Sequence, residues 1–111
     1  MTERNQLPDR RPSITTKVTW ETDSGNHRFY VTMGFDPRTG DVLEVFYADG
    51  QRSGSQLQHT IQDACVLISL LLQHGVSAGE IGKSLSTAPV RGTDGPATVV
   101  GAIIQTIKGS F

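Results

Sequence analysis

At 111 residues and 12.0 kDa, the chain has room for one compact domain and little more. Ten Lys and Arg against eleven Asp and Glu give a net charge of −1, which excludes the strong field that gathers nucleic acid or a membrane surface. The single cysteine excludes an internal disulfide framework and any all-cysteine metal site, and the absence of a long apolar run predicts a cytoplasmic protein with no membrane contact.

Residues 1–13 are polar, carry Pro8 and Pro12, and offer almost nothing to bury, so the sequence predicts a flexible N-terminal arm. A single domain over residues 14–111 follows. Ile14, Thr16, Val18 and Trp20 alternate with Thr15, Lys17, Thr19 and Glu21, the period-two signature of a strand rich in β-branched residues. Asp23, Ser24, Gly25 and Asn26 supply a tight reversal into a second strand with Phe29, Val31, Met33 and Phe35 on one face. Asp36 to Gly40 make a second turn, with Pro37 fixing φ and Gly40 free to take a positive value. The third strand, about Asp41 to Tyr47, has apolar residues on both faces, which predicts a central position or an oligomer contact. Together these form a three-stranded antiparallel β-meander.

Helical spacing then takes over. Leu57, Ile61, Ala64, Cys65, Ile68, Leu71 and Leu72 make one apolar stripe, widened by Val66, Leu67 and Leu70, so a long central helix is expected between the sheet and other helices and packed on one sheet face. Gly75 closes it. Ser77 and Glu80 form a capping box flanked by Val76 and Ile81, which starts a second helix with Ile81 and Leu85 inward. Ala88 to Gly95 read as a loop, with Asp94 as a cap and Pro96 in the first turn of a last helix that buries Val99, Ile103, Ile104 and Ile107. Strands followed by three helices define an α+β fold.

Chemistry-bearing residues are sparse. Gly50, Arg52, Ser53, Gly54 and Ser55 lie between a strand and a helix start, where backbone amides and a guanidinium favour an anion, but the spacing matches no phosphate-binding fingerprint. His59 and Asp63 share a helix face, an arrangement that a surface pair also gives. His27 stands at a turn, and His74 suits the terminal carbonyls of the long helix. Cys65 sits on the apolar stripe as a small filler rather than a nucleophile. The arginines are too scattered, and too far from aromatic residues, for a nucleic-acid stripe. No catalytic or metal-binding set is expected from these residues.

Some strings do resemble a known family. The run Leu70, Leu71, Leu72, Gln73, His74, Gly75, Val76 follows the strand with Glu44, Val45 and Phe46, and the chain opens Leu7, Pro8, Asp9, Arg10, Arg11. These resemble the TSCPD domain, the module near the C-terminus of adenosylcobalamin-dependent ribonucleotide reductases, and more closely its small free-standing bacterial members. The Thr-Ser-Cys-Pro-Asp string that names the family is replaced here by His59, Thr60, Ile61, Gln62 and Asp63. The resemblance implies a non-catalytic accessory or interaction domain linked to deoxyribonucleotide supply and DNA synthesis, with no cofactor of its own. Its expected partners are a reductase large subunit, met through an arm carrying Leu7, Arg10 and Arg11, or a second copy of itself as a homodimer. The competing expectation is a nucleotide or anion sensor built on the Gly50–Ser55 loop.

Overall fold

The computed structural model describes Arg4, Leu7 and residues 10–48 and 56–110. Three antiparallel strands, β1 (Ser13–Thr22), β2 (Gly25–Phe35) and β3 (Val42–Ala48), pair in the order β1-β2-β3. Helices α1 (Gln56–Gln73) and α2 (Ala78–Lys83) follow, then a small hairpin of β4 (Thr87–Val90) and β5 (Thr93–Pro96), then α3 (Val99–Ser110). This is an α+β fold.

The two turns of the meander form for the reasons their residues suggest. Thr22 Oγ accepts from the amide of Ser24 and donates to the carbonyl of Gly25, closing the first reversal, and Gly25 sits at φ 131°. In the second, the amides of Thr39 and Gly40 donate to the Asp36 carbonyl, and the buried Asp36 carboxylate accepts from the Arg38 amide and guanidinium. The core lies on the face of the sheet formed by Phe29, Val31, Met33 and Phe35 of β2 with Leu43, Val45 and Tyr47 of β3. From the other side it is closed by Ile61, Cys65, Ile68 and Leu72 of α1 and by Ala102, Ile103, Ile104 and Ile107 of α3.

The structure places β3 at the edge of the sheet and β2 at its centre. The apolar pattern on both faces of β3 has a local cause: the register shifts between Gly34 and Phe35, so Val42 and Leu43 are both buried although they are adjacent. Phe46, on the outer face, stays 48% exposed.

Helix α1 also differs from a rod enclosed by apolar neighbours. Ile61, Cys65, Ile68 and Leu72 are buried, but Leu57 and Leu71 of the expected stripe are exposed, and Ser69 and Gln73 are buried instead. The helix ends as Gly75 predicts: at φ 90° it lets the amides of Gly75 and Val76 reach back to the carbonyls of Leu72 and Leu71. Ser77 then caps α2 by accepting from the Glu80 amide at 3.1 Å.

Residues 88–95, expected as a loop, pair instead as β4 and β5. Pro89 is tolerated because each strand of a two-stranded sheet has a free edge, where a missing donor breaks no ladder. Arg91 and Gly92 both take positive φ, 51° and 83°, as the tight turn of such a hairpin demands. Pro96 ends β5 rather than opening α3, its carbonyl accepting from the Trp20 indole at 3.1 Å. The cap of α3 is Thr98, whose hydroxyl accepts from the Gly101 amide, so Asp94 does not cap it.

Candidate functional site

Three polar side chains on α1 face the free edge of β3. Ser69 Oγ accepts from the Val45 amide at 3.0 Å and donates to the Cys65 carbonyl at 2.8 Å. Gln73 donates to the Leu43 carbonyl at 2.9 Å, and Gln62 bonds both the amide and the carbonyl of Tyr47. Strand residues 43, 45 and 47 thus meet helix residues 73, 69 and 62 in antiparallel order. An edge strand leaves every second amide and carbonyl unpaired, and these side chains take the place of a fourth strand. The buried Ser69 and Gln73 on an apolar helix face are thus hydrogen-bonded to the strand edge.

Parts of the N-terminal arm are tied to the same corner. Arg4 donates to the Gln73 side-chain oxygen, joining the edge contact through Gln73. Leu7 packs half-buried against the core. Arg11 grips Glu44 with two bonds, Nε to Oε2 at 2.5 Å and Nη2 to Oε1 at 2.7 Å, a fork geometry stronger than a single contact. That pair lies on the outer face of the sheet over Gly34, where an added Cβ would come within 2.5 Å of Glu44 Oε2. Arg10 is exposed. The arm residues singled out from the sequence thus divide: Leu7 and Arg11 are engaged within the chain, and Arg10 faces solvent. The expected anion loop, Gly50, Arg52, Ser53, Gly54 and Ser55, lies outside the described residues.

Beside this corner runs a cleft of about 230 Å³ lined by Glu44, Phe46, Gln62, Asp63, Val66 and Leu70. Its apolar walls continue onto the solvent face of α1, where Val66 is 57% and Leu67 62% exposed. His59 and Asp63 are both exposed on α1. Cys65 is buried, and burial pushes its thiol up to about 11, far from the thiolate needed for redox exchange at neutral pH. Among the described residues, no three His, Cys, Asp or Glu side chains gather as metal ligands would, and no helix is long and apolar enough to cross a membrane. The arrangement is an apolar ledge beside a polar seam.

The profile of the TSCPD domain matches residues 2–109. The chain belongs to the TSCPD domain family. It is 30% identical over 102 residues to a vitamin B12-dependent ribonucleotide reductase of Bradyrhizobium diazoefficiens. That match covers 85% of this chain and only 8% of the reductase, so the domain corresponds to a small part of a much longer enzyme. No solved structure matches the chain significantly.

Sequence reasoning passed over Gln62, Ser69 and Gln73, because each reads as a polar interruption of an apolar helix. Their signal is their spacing: steps of seven and four keep them on one side of the helix, next to the buried stripe.

Proposed function

We propose that this chain is a non-catalytic interaction domain that works with a vitamin B12-dependent ribonucleotide reductase and so contributes to deoxyribonucleotide supply. The observation that carries the reading is the TSCPD match over residues 2–109 together with the state of the one cysteine. Reducing a ribonucleotide consumes two electrons, which a dithiol supplies; Cys65 is alone, buried and protonated. The relative's reductase activity therefore has no counterpart in the thiol chemistry of this domain. What the domain offers such an enzyme is surface: the Phe46–Val66–Leu70 cleft and the adjoining arm, where exposed Arg10 adds one positive charge.

The test is a calorimetric titration of the purified chain into the purified reductase large subunit of the same host, with and without ribonucleotide substrate. A saturable isotherm supports the reading, and weakening by Phe46→Asp assigns it to the cleft. The absence of any binding at about 100 μM, a concentration that still detects micromolar affinities, would contradict it.

A further inference from the structure

We propose that the free edge of β1 docks an extended segment of a partner protein, which adds as a fourth strand between β1 and α3. The site lies at the opposite edge of the sheet from β3 and its cleft, so it goes beyond the reductase reading and does not depend on it. The phase of the ladder identifies the backbone groups on offer. The Phe35 amide donates to the Pro12 carbonyl, which makes 12 and 35 a bonded pair, and the unbroken register along β1 then bonds residues 14, 16, 18 and 20 to β2. The Val45 amide agrees from the other side: it turns outward to Ser69, so its neighbour Met33 bonds Ile14 instead. The amides and carbonyls of Thr15, Lys17, Thr19 and Glu21 therefore point away from the sheet. On β3 the corresponding groups are met by Gln62, Ser69 and Gln73, whereas among the described residues no side chain closes the edge of β1.

A cleft of about 390 Å³ runs along this edge. Successive strand residues face opposite sides, so an opening that touches Val18 and Trp20 together with Thr19 and Glu21 has the edge of the strand as its wall. Pro96, Ala102 and Gln105 form the other wall, held in place by the Trp20 indole, which donates to the Pro96 carbonyl at 3.1 Å. Val18 to Glu21 span roughly 10 Å, room for about three residues of an added chain. The shape selects the occupant. Two walls admit one extended chain, whereas the edge of a second copy would arrive with its own β2 behind it. In the fullest antiparallel overlap of two β1 strands, Lys17 would also stand against Lys17, which disfavours self-pairing. The lining is apolar on the core side, where Val18, Trp20 and Ala102 lie, and so fits an aliphatic side chain at every second residue of the segment. Its one charged group, Glu21, already faces Arg91, so the segment is recognised by its backbone and its aliphatic side chains rather than by charge.

The experiment is an NMR titration of the full chain with blocked heptapeptides, acetyl-Thr-X-Thr-X-Thr-X-Thr-amide with X alanine, valine or leucine, read by amide hydrogen exchange. Saturating valine or leucine peptide is expected to slow exchange at Thr19 and Glu21 at least about 10-fold and to leave Thr16 and Val18, already bonded to β2, unchanged. Methylating alternate peptide nitrogens separates strand addition from simple adhesion: one of the two alternate sets abolishes binding, because only one set faces β1. Thr19→Pro removes an outward donor without breaking the β1–β2 ladder, since an edge strand accepts proline, and is expected to weaken binding about 10-fold with a melt that stays cooperative. The methylated peptides give the same answer with the chain unaltered. No protection by any of the three peptides at about 1 mM, or binding that tolerates both methylated sets, overturns the proposal. Protection of Thr19 and Glu21 that grows with protein concentration in the absence of peptide also overturns it, by assigning the edge to a second copy. A chain that takes no peptide yet binds the reductase overturns this proposal alone and leaves the interaction-domain reading standing.

Discussion

Arg91 occupies a conformation that favours glycine or asparagine. At φ 51° its Cβ crowds the backbone, and the two contacts that compensate are weak: its amide reaches Asp23 at 3.4 Å, and its guanidinium lies 3.8 Å from Glu21 between exposed groups. Asn is the residue that such two-residue hairpin turns prefer before Gly. Arg91→Asn is therefore expected to raise stability by about 0.5–1 kcal/mol, seen as a higher midpoint in urea with an unchanged slope. Cys65 gives a second residue-scale prediction. Its pKa is raised from the ordinary 9.0 to about 11 in the folded chain. Below pH 9 both folded and unfolded thiols are protonated and nothing changes. Between about pH 9 and pH 11 the unfolded thiol ionises first, so stability falls as pH rises through that window. Cys65→Ala removes that alkaline decline, and urea midpoints measured from pH 8 to 11 read it.

At the scale of elements, the contact between α1 and β3 is where pattern and structure part. Apolar periodicity placed the helix and its Ile61–Cys65–Ile68–Leu72 core stripe correctly, because burial alone decides those positions. It misassigned Leu57 and Leu71, because it takes every apolar residue near the stripe to be inward. The helix is rotated so that Ser69 and Gln73 reach the strand edge, and unpaired backbone groups at an edge cost more than two exposed leucines. No single-helix pattern contains that requirement, since it comes from a strand more than twenty residues away. The β4–β5 hairpin was missed for a related reason: Pro89 and Gly92 signal a loop locally, and only the partner strand makes them a hairpin. Ser69→Ala tests the edge contact. It deprives the buried Val45 amide of its acceptor and should cost about 1–3 kcal/mol, with faster hydrogen exchange at Val45 than at Thr32 on the paired strand.

For the whole molecule, the sequence disclosed the meander, the long helix, the α2 cap and the TSCPD resemblance that the family match bears out. It disclosed less of which apolar side chains stay exposed, since exposure is set by how elements pack and not by residue type. The fold encloses its one thiol, closes one sheet edge with helix side chains and leaves an uncharged apolar ledge outside. On our proposal such a molecule acts by contact. The most direct test of that claim is to mix the chain with the host reductase during turnover, quench with iodoacetamide, and read Cys65 by mass spectrometry. The account predicts that Cys65 in the folded chain stays reduced and unlabelled, and that the Cys65→Ala chain binds the reductase as wild type does. A disulfide linking Cys65 to the enzyme, formed in step with substrate reduction, would contradict it.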